Sequence, residues 1–117
     1  MKLEVGKSQT IDEGKYEAQI TKVERRTEPY DYTDYWFTLE TEGAPLVKHG
    51  FPSDVKIDQK GEPTTSHAKF LKKMGIVLEK EIDTDELIGK RVSLMIANEE
   101  TAKGTFARVV DKFIKPL

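Results

Sequence analysis

The stretch TEPYDYTDYWFTLE, residues 27–40, holds Tyr30, Tyr32, Tyr35, Trp36 and Phe37 in a chain that is only 9% aromatic. Flat rings packed this densely either close a core or stack on something flat, and nucleobases are one such ligand. Cations accompany them. Lys22, Arg25 and Arg26 precede the segment, Lys90 and Arg91 come later, and Lys103, Arg108, Lys112 and Lys115 run towards the end. Rings beside cations suit stacked bases beside their phosphates.

Other chemistries find less support. There are no cysteines, which removes disulfides, thiolate metal sites and cysteine nucleophiles together. The two histidines, His49 and His67, have no metal-ligand spacing and no nucleophile pattern nearby. Asp83, Asp85 and Glu86 could be imagined as a metal cluster, but Asp83 and Glu86 read as the capping and dipole-favoured residues of a short helix. The eight glycines are scattered at turns, with no phosphate-cradling loop. The expectation is a non-catalytic protein with no metal and no cofactor.

The elements that must position these residues follow from periodicity. At 117 residues the chain suits one domain, with 34% charged and 37% hydrophobic residues and a net charge of −2. No apolar run approaches the roughly 18 residues of a membrane span. The N-terminus lacks a signal-peptide stretch, so a cytoplasmic location is expected. Residues 1–13 read as an N-terminal arm and residues 14–117 as the domain. In GKYEAQITKVERR, Tyr16, Ala18 and Ile20 alternate with polar residues as in a half-buried strand, and the phase changes at Val23, as at a β-bulge. A polar loop at 27–34 leads into a second strand at 35–41. A short third strand lies in LVKHGF, limited by Gly50 and Pro52.

The period then becomes helical. Thr65 or Ser66 caps a helix presenting His67, Phe70, Leu71 and Met74, and Gly75 stops it. A one-turn helix at DELI ends at Gly89. KRVSLMIAN is the fourth strand, with Val92, Leu94 and Ile96 inward, and TFARVVDKFIK is the fifth. Three strands, a helix and two strands match a five-stranded Greek-key barrel of the OB type, an all-β fold with its helix between strands three and four. A short β-sandwich with a plugging helix has the same element order.

Strand phase assigns the faces. Tyr35, Phe37 and Leu39 share the core side, so Trp36 points outward with Thr38 and Glu40, where it either stacks on a ligand or packs beneath the N-terminal arm or the helix. Tyr30 and Tyr32 fall in the loop between strands one and two. On the fifth strand, Phe106, Arg108, Val110 and Lys112 share a face opposite Ala107, Val109 and Phe113. Lys69, Lys72 and Lys73 face solvent from the helix.

Four stretches, GKYEAQI at 14–20, YWFTLE at 35–40, LKKMGI at 71–76 and DTDELIGKRV at 83–92, together resemble a family of phage and prophage OB-fold proteins thought to bind single-stranded DNA. The similarity spans roughly residues 14–114. It implies a role in replication or recombination. Many single-stranded DNA-binding proteins end in an acidic tail that recruits partners, whereas this sequence ends DKFIKPL.

The expected function is single-stranded DNA binding of low sequence specificity, with RNA as the alternative strand chemistry. Trp36 and Phe106 would stack on bases. Lys22, Arg25, Arg91, Arg108 and Lys112 would touch phosphates, and Tyr30 and Tyr32 would close from the loop. The alternative is a protein-interaction or assembly domain whose aromatics form a hot-spot patch. A homodimer through the third strand or the N-terminal arm is compatible with either.

Overall fold

A computed structural model describes residues 11–79 and 81–117. The first ten residues of the expected N-terminal arm lie outside the described residues. Its last part is docked: Ile11 packs against the core, and its carbonyl accepts from Nδ2 of Asn98 at 2.9 Å.

One antiparallel sheet dominates. Its strands are β1 (Gly14–Arg26), β2 (Tyr32–Leu39), β3 (Val47–Pro52), β4 (Arg91–Thr101), β5 (Gly104–Val109) and the two-residue β6 (Lys115–Pro116). The order across the sheet is β3-β2-β1-β4-β5, with β6 also pairing β4. One helix, α1 (Ser66–Lys73), lies between β3 and β4 in the chain, and a single 3-10 turn at Thr84–Leu87 precedes β4. The β-rich architecture with one inserted helix is thus as expected. No ladder joins β3 to β5 among the described residues, so strand pairing leaves the sheet open. Its two edges nevertheless approach: Nε2 of His49 on β3 lies 3.9 Å from a carboxylate oxygen of Asp111, just past β5.

Alternation places the core as the sequence implies. Ala18, Ile20, Tyr35, Phe37, Leu39, Val92, Leu94 and Ile96 are buried on one face of the sheet. The helix covers that face with His67, Ala68, Phe70 and Leu71. Its ends are set locally. The Thr65 hydroxyl accepts from the Ala68 amide at 3.3 Å. At the other end Gly75 has φ +90°, and the amides of Ile76 and Gly75 return to the carbonyls of Leu71 and Lys72, each at 3.0 Å. This pair of bonds is a Schellman stop, which requires the left-handed conformation glycine adopts without strain.

Two strands differ from expectation. The second starts at Tyr32 rather than Tyr35, so Tyr32 and Asp34 lie on the sheet and not in the loop. The fifth ends at Val109; the chain then makes a 3-10 turn at Asp111–Phe113 and returns as β6 against Val92 and Ser93. Asp111 accepts the Lys112 amide with its own side chain, offering the backbone a turn in place of a ladder. Lys112 therefore leaves the strip it was expected to share with Phe106 and Arg108, and Phe113 is exposed rather than inward.

Candidate nucleic-acid interface

The aromatic run is divided between both faces of β2. Tyr35 and Phe37 enter the core, where Tyr35 packs edge-on against Phe51 and Phe70. Tyr32 and Trp36 point to the opposite face, where they are half-buried.

A β-bulge decides which cations join them. The β1–β2 register shifts between Ile20 and Lys22, so Thr21 is the extra residue. Beyond it, Val23 and Arg25 point to the inner side and Lys22, Glu24 and Arg26 to the outer. Rows across the outer face follow from the pairing: Lys22–Trp36–Lys48, then Glu24–Asp34–Gly50, then Arg26–Tyr32–Pro52. The ammonium groups of Lys22 and Lys48 lie 5.6 and 5.0 Å from the Trp36 ring centroid. The Arg26 guanidinium lies 5.0 Å from that of Tyr32.

Asp34 sits between these two ring–cation stacks and is only 4% exposed. Its Oδ2 accepts from Nε of Arg26 at 2.8 Å and lies 3.7 Å from Nζ of Lys48. Its Oδ1 is buried and has no hydrogen-bond partner, and the same is true of the indole Nε1 of Trp36. An unmet buried polar group costs about 1–3 kcal/mol, so each of these two atoms is notable. Gly50 makes room for the carboxylate: a Cβ there would stand 2.5 Å from Asp34 Oδ1.

The remaining expected contacts are spread more widely. Tyr30 stands 71% exposed in the β1–β2 loop. Arg25 grips Asp31 with two hydrogen bonds of 2.8 and 2.6 Å, which hold the Asp31 carboxyl down to about 2. It lines a cleft with Thr33, Ser53 and His67, away from the Trp36 ring. Arg91 forks onto Glu40 at 2.6 and 2.7 Å and reaches Glu17 at 3.2 Å, holding the Glu40 carboxyl below its ordinary range. Phe106 and Arg108 pair with Glu99 and Ala97 on the β4–β5 hairpin, beyond the point where β4 leaves β1 at Gly14. Arg108 lies 3.5 Å from Glu99. Lys112 sits over the Phe113 ring in the turn after β5. The structure thus brings Lys22, Tyr32 and Trp36 together, turns Arg25 to the other face, leaves Tyr30 exposed in the loop, and places Arg91, Phe106, Arg108 and Lys112 elsewhere.

Sequence reasoning missed Lys48, Asp34 and Gly50 as members of the patch and chose Arg25 over Arg26. The phase change at Val23 carried the signal for Arg26, because an inward Val23 sends Lys22 and Arg26 outward together. Lys48 joins only through the β2–β3 register, which is non-local.

Among the described residues no group of three or more His, Asp or Glu side chains could hold a metal. Asp83 caps the 3-10 turn by accepting the Asp85 amide at 3.0 Å. His67 is 2% exposed: its Nδ1 donates to the Ser53 carbonyl at 3.1 Å, and its Nε2 accepts from the Tyr35 hydroxyl at 2.6 Å. Among the described residues no helix is long and apolar enough to cross a membrane. No family model matches the chain, and no curated protein is significantly similar to it.

Proposed function

We propose that this chain is a non-catalytic, single-stranded DNA-binding module of the OB type. The reading rests above all on Trp36, an indole on the sheet face opposite the core, flanked across both neighbouring strands by Lys22 and Lys48. The strand order, the position of α1 and the approach of β3 to β5 support an OB barrel completed by side-chain contact rather than by a ladder. The resemblance of the GKYEAQI, YWFTLE, LKKMGI and DTDELIGKRV stretches supports DNA as the strand and phage replication or recombination, in the cytoplasm, as its setting.

Binding exchanges weak contacts for stronger ones. Each lysine–Trp36 contact is worth about 0.5–1 kcal/mol at an exposed site. A base stacked on the same ring contributes about 1–3 kcal/mol, and the released ammonium groups gain phosphates. The strand passes over Trp36 and Tyr32, with Lys22, Arg26 and Lys48 on its backbone and Tyr30 closing from the loop. Trp36 is the sole tryptophan, so its fluorescence reports the site directly. Titration at low salt with a mixed-sequence single strand should quench it, and duplex of the same sequence should not. An unquenched indole with no retained single strand refutes the proposal.

A second reading keeps the same patch as a protein-interaction or assembly surface. It is favoured by the carboxylates that already occupy Arg25, Arg91 and Arg108. Here the solution mass would exceed that of one chain, or a protein partner would protect Trp36 where oligonucleotide does not.

A further inference from the structure

We propose that Asp34 reads the edge of a base stacked on Tyr32 and selects bases that carry an exocyclic amino group over thymine. This rests on the single-strand reading above and assigns specificity within that site. Asp34 Oδ1 is a buried acceptor with no partner, on a residue nine-tenths buried, while Oδ2 is committed to Arg26 and Lys48. Its immediate surroundings are the Tyr32 ring and the Arg26 guanidinium. From the position a Gly50 Cβ would take, 2.5 Å from Oδ1, Cδ2 of Tyr32 is 3.2 Å away and Nη2 of Arg26 is 3.7 Å away.

Arg26, bonded to the other oxygen of the same carboxylate, is a group that a nucleic acid would draw aside. Arg26 lies over Tyr32, and its side chain is 38% exposed. A base that takes its place on the ring, as Arg26 moves to a phosphate, has its edge beside Asp34, the next residue on the same face of β2. A carboxylate at that point repels phosphate, so the backbone keeps to the flanking cations and the bases turn towards Asp34. The oxygen can only accept. Cytosine N4, adenine N6 and guanine N2 offer amino hydrogens, and carboxylate acceptance from cytosine N4 is an established pairing. Thymine offers N3–H between two carbonyl oxygens, which the carboxylate repels.

The test compares oligo(dC) with oligo(dT), two pyrimidine strands, by quenching of Trp36. Oligo(dC) should bind roughly tenfold more tightly, the discrimination of one charged hydrogen bond. The preference should vanish in Asp34→Asn, whose amide can serve either base. A measurement on the unaltered protein covers the case in which that variant fails to fold: an oligomer of pyrimidin-2-one, cytosine without its amino group, should bind no better than oligo(dT). Equal binding of oligo(dC) and oligo(dT), or a preference that survives Asp34→Asn or the loss of the amino group, overturns the assignment of Asp34 alone. Failure of every single strand to quench Trp36 overturns the single-strand reading and this assignment with it.

Discussion

The Tyr35 hydroxyl and His67 Nε2 meet at 2.6 Å inside the core. The bond fixes the protonation of the imidazole. The Ser53 carbonyl can only accept, so Nδ1 carries the proton and Nε2 takes the phenol hydrogen as a neutral ring. Burial depresses the His67 pKa below its ordinary value and raises that of the Tyr35 phenol. Both groups are held neutral. Tyr35→Phe removes the donor and leaves Nε2 buried and unmet, which should lower unfolding free energy by about 1–3 kcal/mol in a denaturant titration near neutral pH. An unchanged midpoint would mean that the bond is dispensable.

The same histidine predicts how stability depends on pH. Its folded pKa lies below the unfolded value of roughly 6.5, so the unfolded chain takes up the proton first as pH falls. The neutral-ring contribution is complete above the unfolded value and is lost on descent towards the folded one. His49 shifts the same way through burial, opposed in part by Asp111. Unfolding free energy should therefore begin to fall as pH drops through the unfolded value of roughly 6.5, and His67→Gln should reduce the slope to the share carried by His49. Identical slopes in both proteins would remove His67 from the account.

Gly50 yields a prediction about packing. A Cβ at this position meets Asp34 Oδ1 at 2.5 Å, and that carboxylate is tied down through Oδ2 by Arg26. Gly50→Ala should destabilise by about 1–3 kcal/mol, the usual range for overpacking a buried site. In an Asp34→Ala background most of that cost should disappear, because the clashing atom is gone. Simple additivity of the two substitutions would show that the collision is relieved by some other movement.

These examples separate what was legible in the sequence from what was not. The alternation of Tyr35, Phe37 and Leu39, the Thr65 cap and the Gly75 stop are local, and each is where its residues imply. The outward direction of Trp36 is a consequence of the same alternation. The early end of β5 was harder to see, because Val109, Val110 and Phe113 favour a strand while one Asp111 side chain turns the backbone. The membership of the patch was harder still. Lys48 stands next to Trp36 only through the pairing of β2 with β3, and Arg26 replaces Arg25 only because Thr21 bulges. Register across strands is a tertiary property, and a periodic pattern along one strand does not encode its neighbour's offset.

The pair of Arg25 and Asp31 predicts acid behaviour away from the Trp36 face. Two hydrogen bonds from the guanidinium lower the Asp31 carboxyl to about 2, from an unfolded value near 3.8. A depressed carboxylate contributes stability that is present above its unfolded pKa and lost as pH falls through the folded one. The pair is exposed, so the effect is small and screened by salt. Asp31→Asn should flatten the fall in stability between about pH 4 and pH 2, most visibly at low ionic strength. A pH profile indistinguishable from that of the parent chain would show that solvent screens the pair completely.

Lys48 provides the most direct test of the face, since no local sequence pattern singled it out. Its ammonium group sits over Trp36 and only 3.7 Å from Asp34, so its charge is partly compensated before any ligand arrives. A strand stacking on Trp36 draws it to phosphate and releases a counterion. Lys48→Ala should then weaken single-strand binding and reduce the log–log salt slope by about 0.7, one phosphate's share. Lys22→Ala should do the same from the other side of the ring. Lys72→Ala supplies the control: its ammonium group is bound to Glu62 at 2.8 Å on a helix that packs against the inner face. If Lys72→Ala matches Lys48→Ala in both affinity and slope, binding follows overall charge and the rings organise nothing. If only the lysines beside Trp36 matter, cations and indole act as one site.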